Sequence, residues 1–139
     1  MARDFQRSKV YEWEQNYLTP LSKRLDREEC IRLIKRTHRG KLRTPQFKDG
    51  RGTWIARGGP SIINLPRWAR HEVVVLHECA HSITIQKYCP NETAGEYQSL
   101  AAHGPEFVGI FLELLVKHTS LDRNSLKQSL DERGILYYE

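Results

Sequence analysis

Along residues 4–17 the apolar positions Phe5, Val10, Trp13 and Tyr17 fall loosely on one side of an otherwise polar segment, which predicts an amphipathic helix ending before Pro20. Asp26 followed by Glu29 has the form of a capping box. It opens a second helix whose Cys30, Ile31, Leu33 and Ile34 face inward and which closes near Gly40. The pattern then changes: residues 41–66 are broken by Pro45, Asp49-Gly50, Gly52, Gly58-Gly59-Pro60 and Pro66, with short apolar runs at residues 53–56 and 61–65. Asp49-Gly50 is a turn signal, so this stretch reads as a small antiparallel sheet.

Residues 68–87 contain almost no breaker. Val73-Val74-Val75 alone would favour a strand, but about twenty residues exceed an ordinary one. Apolar residues on every side predict a helix buried at the centre of the domain. Cys89-Pro90-Asn91 ends it, and the polar stretch to Ala102 reads as a loop or a short helical turn. Pro105 suits the start of the next helix, along which Phe107, Ile110, Phe111, Leu114 and Leu115 form an i, i+3, i+4, i+7 stripe. Ser120 reads as the N-cap of a last helix that stops at Gly134, before the tail Ile135-Leu136-Tyr137-Tyr138. With no repeat and no linker, residues 1–139 read as one α+β domain. Residues 1–40 are its helical N-terminal part, 41–66 its sheet, 67–118 the helices that carry the chemistry below, and 119–139 a C-terminal helix and tail.

His77-Glu78-Cys79-Ala80-His81 is an H-E-x-x-H sequence. On an α-helix, residues four apart are separated by about 400°, so both imidazoles leave one face, about 6 Å apart along the axis. There they can share a Zn²⁺, while Glu78, about 100° from His77, is placed to act as a base. A catalytic zinc takes three protein ligands and keeps one position open for water. Lys87 stands six residues past His81, so the metzincin spacing is absent. Glu92 and Glu96 could supply a carboxylate. His103 is the stronger candidate, because Gly104 permits a turn behind it and Pro105 starts a helix anchored by its apolar stripe.

The remaining candidates are weaker. Cys79 turns about 200° from His77 and reads as core. His38, His71 and His118 read as structural, and Trp54, between Arg51 and Arg57, as sheet packing before a base-stacking platform. Tyr88 and Tyr97 are candidates to stabilise an oxyanion, and Glu96 or Glu106 to hold a ligand imidazole.

H-E-C-A-H followed by His103-Gly104-Pro105-Glu106-Phe107 resembles the SprT-like zinc metalloproteases, including their Spartan branch, over residues 67–111. The opening, with Asp4-Phe5-Gln6-Arg7 and Val10-Tyr11-x-Trp13-Glu14, is also similar to small metallohydrolases of actinobacteria and their phages. The resemblance implies a zincin-like, minigluzincin-type fold in which a small antiparallel sheet packs on a central H-E-x-x-H helix with flanking helices. It also implies that His77, His81 and His103 bind zinc and that Glu78 acts as general base and then acid on a protein or peptide substrate. No cysteine follows Cys89, unlike members with a C-terminal zinc ribbon.

Charge adds one element. Residues 1–70 hold 17 Lys/Arg against 7 Asp/Glu, and residues 71–139 hold 5 against 10, so a net +5 conceals a basic half and an acidic half. The basic half could face DNA. This leaves an alternative: a basic nucleic-acid-binding or regulatory module with a structural or vestigial metal site. Three cysteines without a C-x-x-C pair argue against a disulfide framework, and no apolar run approaches the roughly 20 residues of a membrane span. Together with a polar opening unlike a secretory leader, these features lead us to expect a cytoplasmic protein without membrane contact.

Overall fold

The computed structural model describes residues 3–139; Met1 and Ala2, the first residues of the opening read above, lie outside them. Helix α1 (Arg7–Trp13) buries Val10 and Trp13 and runs directly into a π-helical turn (Glu14–Leu18) and a 3₁₀ turn (Thr19–Leu21). The helical path therefore continues through Pro20 instead of stopping before it. Proline sits in the first turn of the 3₁₀ segment, where its missing N–H costs no bond. Helix α2 (Arg27–Thr37) opens on the expected capping box: Glu29 N–H donates to Asp26 Oδ1 (2.8 Å) and Asp26 N–H to Glu29 Oε1 (3.0 Å).

The sheet consists of β1 (Gln46–Lys48), β2 (Arg57–Gly58) and β3 (Ile62–Asn64), in the order β1-β3-β2. β2 and β3 form the expected antiparallel pair, but β1 lies parallel to β3, with Gln46 opposite Ile62. The sheet is thus mixed, not antiparallel throughout. Residues 49–56 loop out without pairing, so β1 meets the far side of β3 instead of the strand that follows it. Edge strand β2 is pressed against the central helix: a Cβ on Gly58 would overlap the backbone of Glu78.

That central helix, α3 (Glu72–Tyr88), follows a 3₁₀ turn (Arg67–Ala69) and buries Val73, Val75, Leu76, Cys79 and Ala80. Tertiary burial overrides the strand preference of its valines. After α4 (Ala94–Ser99), α5 (Pro105–His118) begins with Pro105 and packs Phe107, Phe111, Leu112 and Leu115 into the same core. Burying each such side chain contributes about 1.5–3 kcal/mol. Helix α6 (Arg123–Glu132) is capped by Asp122, whose Oδ2 accepts from Ser125 N–H at 2.9 Å, so the cap lies two residues beyond Ser120. A carboxylate at that point satisfies an end N–H and complements the helix dipole.

The tail docks as an irregular segment. Gln6 binds Leu136 in both directions, donating from Nε2 to its carbonyl (2.9 Å) and accepting from its N–H (3.0 Å), and Tyr138 N–H donates to the Pro105 carbonyl (3.1 Å). Trp13 Nε1–H donates to Ser129 Oγ at 2.8 Å and ties α1 to α6. Both ends of the described chain therefore close around the start of α5. Among the described residues, no helix is long and apolar enough to cross a membrane.

Candidate metal centre

His77 and His81 leave one face of α3, and His103 meets them from the turn before α5. One nitrogen from each ring can be chosen so that all three lie within 4.8 Å of one another. His77 and His103 are buried and His81 is half-buried. His38 lies elsewhere, its Nε2 2.8 Å from Ser82 Oγ, where it joins α2 to α3. His71 occupies the N-cap position of α3 with Nδ1 2.7 Å from Ser22 Oγ, and His118 ends α5. Cys79 is fully buried in the core.

Two carboxylates from the N-terminal segment set the ring orientations. Glu14, at the start of the π-helical turn, pairs with Nδ1 of His77. Asp4 accepts from the backbone N–H of His103 through Oδ1 (2.9 Å) and holds its Nδ1 through Oδ2 (2.8 Å). A carboxylate on Nδ1 leaves Nε2 as the free lone pair and steadies the ring, as in carboxylate–histidine–metal arrangements. Phe107 stacks on His81 with centroids 4.4 Å apart. Tyr11 lies 5.9 Å from the ring of His77 and 5.1 Å from that of His103.

Three observations test whether a cation fits. The Nε2 of His103 is buried without a hydrogen-bond partner, which few polar atoms tolerate. The Nε2 atoms of His77 and His81 are 3.1 Å apart, close to the roughly 3.3 Å spanned by two nitrogens on one tetrahedral zinc. Thirdly, positive charge is missing. Burial pushes Glu14 up to about 8, partly offset by His103, and pushes Glu78 up to about 8 with Glu14 adding to the rise. Burial likewise lowers His77 to about 3, helped by the neighbouring His103, and carries His81 well below its usual range. Among the described residues, Arg7 reaches Tyr11, but no lysine or arginine offsets the burial of Glu14, His77, Glu78 or His81. A cation among the three imidazoles would do so, and the residues present fit one.

Glu78 follows His77 on α3 and is buried, with Glu14 and Tyr11 within electrostatic reach, and its carboxylate makes no hydrogen bond to a described residue. The other acidic candidates are elsewhere. Glu92 accepts from Arg43 at 2.8 Å, and Glu96 is the capping-box partner of Thr93 at the start of α4. Glu106 lies beside Gly104, so neither Glu96 nor Glu106 holds a ligand ring. Tyr88 and Tyr97 stand at the surface away from the imidazoles, and Tyr11 is the tyrosine at the site.

Sequence reasoning missed Asp4, Tyr11 and Glu14. Glu14 carried a readable signal: it is four residues past the apolar Val10, so it falls on the buried stripe of the first helix, where a carboxylate needs a partner. Asp4 had none, since only the tertiary fold brings it to His103. Compared with family models, curated proteins and solved structures, the chain matches none.

Proposed function

We propose that the protein is a zinc-dependent hydrolase of SprT-like type, most directly a metallopeptidase, with His77, His81 and His103 as ligands and Glu78 as base. The observation that carries this reading is the convergence of three imidazoles, with the buried carboxylate of Glu78 on the residue that follows His77. Three neutral nitrogens with one position left for water are the ligand set of a catalytic zinc; a structural zinc is closed by four protein ligands. A zinc ion held there would supply Lewis acidity, acidifying water and polarising a carbonyl.

The chain's own groups divide the remaining work. Glu78 accepts the proton of the attacking water and returns it to the leaving amine, which suits a peptide bond. Its buried setting keeps its proton affinity high enough for both transfers. Glu14 and Asp4 hold the rings of His77 and His103, so little reorganisation is needed as charge develops. The phenol of Tyr11, raised above its usual range chiefly by burial and next by Glu14, stays a donor at neutral pH and is the group to stabilise the carbonyl oxygen.

Metal analysis of the purified protein should give close to one zinc per chain. Glu78→Gln should keep that zinc and lose hydrolysis of an unfolded protein substrate. Equal rates for the variant and the wild type would remove Glu78 from the mechanism, and a zinc-free preparation as active as the loaded one would remove the metal.

A further inference from the structure

Between residues 49–54 and the 3₁₀ turn at Arg67–Ala69 a cleft of about 660 Å³ opens, lined by Arg27, Arg51, Arg67, Arg70, Trp54 and Trp68. Asp49 is the one carboxylate in the lining, against four guanidinium groups. The cleft is braced from behind. Arg70 donates to the carbonyls of Leu65 (3.1 Å) and Asp49 (3.0 Å), Arg24 donates to those of Arg67 and Trp68, and Trp68 Nε1–H donates to the Trp54 carbonyl (2.6 Å). Gly50 adopts φ +74° directly against Pro66, a conformation and a space that exclude a side chain.

Of the groups facing solvent, the two arginines at the rim are uncommitted, while Trp68 spends its N–H on the Trp54 carbonyl and leaves its ring partly open. Arg67 makes no side-chain hydrogen bond to a described residue, and Arg51 is 92% exposed with only a 4.0 Å approach to Asp49. Trp54 is 84% exposed and Trp68 49%. An indole so bare on a pinned backbone has no packing role, which overturns the expectation that Trp54 packs in the sheet. Large exposed apolar rings among polar neighbours mark contact surfaces.

From this arrangement we infer that the cleft is a binding site for single-stranded nucleic acid, with Arg51 and Arg67 on the phosphates and Trp54 and Trp68 as stacking platforms. Both halves of the chemistry are needed to choose this ligand. An acidic polypeptide would engage the arginines but leave two indoles idle, and a duplex keeps its bases stacked internally, out of their reach. Guanidinium groups interleaved with exposed aromatic rings serve the backbone and the bases of a single strand together. The inference is independent of the metal reading, since none of these residues belongs to the histidine site.

Titrating the 139-residue chain with a short oligothymidylate at low salt, and following tryptophan fluorescence, tests it. Trp13 is buried, so quenching reports on Trp54 and Trp68. Saturable quenching is expected, with affinity falling as salt rises along a log–log slope of roughly −1.4 for two phosphates. Trp54→Ala should weaken binding about 5- to 150-fold, and Arg51→Glu with Arg67→Glu should abolish it while circular dichroism stays unchanged. Absence of binding at low salt overturns the proposal. So does competition by polyglutamate as effective as by unlabelled oligothymidylate, which would assign the cleft to an acidic polypeptide. Equal affinity for a duplex of the same length, undiminished in Trp54→Ala, overturns it as well.

Discussion

Around the three histidines, orientation is imposed from several sides. Glu14 grips His77, Asp4 grips His103 twice, and Phe107 lies flat on His81. Around Trp54 the backbone is pinned as firmly by the Trp68 indole N–H, yet the side chains of Trp54 and Arg51 stand free in water. The contrast follows from what each region would bind. A metal ion rewards ligand placement within fractions of an ångström, so the rings are held before it arrives. A flexible polyanion is attracted over about 10 Å at moderate salt and tolerates mobile guanidinium groups, so only the floor of its site needs to be rigid.

The sharpest way to break this comparison is at Glu78. Glu78→Gln should lower peptide hydrolysis about 10²- to 10⁴-fold, with zinc content unchanged by metal analysis and oligothymidylate affinity unchanged by fluorescence. A parallel loss at the cleft would show that the two regions are not independent. Next comes the carboxylate support of the rings. Glu14→Gln should weaken zinc binding about 10- to 100-fold in competition with a chromophoric chelator. Asp4→Asn should fall at the low end of that range, because its side chain is 24% exposed against 13% for Glu14.

Zinc should also stabilise the fold, since a ligand of the native state alone adds about 2.7 kcal/mol at a hundred times its Kd. The melting temperature should rise accordingly on loading, and His103→Ala should erase the increment. Trp54→Ala, by contrast, should leave stability within about 0.5 kcal/mol of wild type, as expected for an exposed side chain.

The smallest effect separates one of the structural histidines, His38, from the three at the site. Burial holds His38 below its ordinary value, so the folded state keeps it neutral. Above about 6.5, the ordinary value, both folded and unfolded chains carry it uncharged and stability is complete. As pH falls below that point, the unfolded chain takes up a proton that the folded ring refuses, and stability is lost. His38→Gln should flatten, without removing, the fall in melting temperature between pH 7 and pH 5. An unchanged slope would mean that His38 takes no part in it.

Much of the site was legible because its signal is local. H-E-x-x-H puts two rings on one helical face wherever the helix forms, and Gly104-Pro105 marks the entry to α5 that carries His103. The capping box at Asp26 and the buried stripe of α5 were readable for the same reason: their partners lie three or four residues apart. The nearby acids Glu96 and Glu106 drew attention as ring supports only by proximity in sequence, and local capping had already claimed Glu96. The parallel place of β1 was hidden, since three residues between Pro45 and Asp49 carry no periodicity that names a partner.

By itself the sequence determined the order of the helices, the pairing of His77 with His81, and the surplus of positive charge in the first half. These depend on spacing within one helix or on summed charge, which the chain carries in any fold. Only the tertiary structure decided that Asp4 and Glu14 support the imidazoles, that Tyr11 lies against them, and that Trp54 faces water beside Arg51 and Arg67. Each of those requires segments far apart in the chain to meet, and that meeting is driven by burial of the shared core around α3 and α5, which no local pattern encodes.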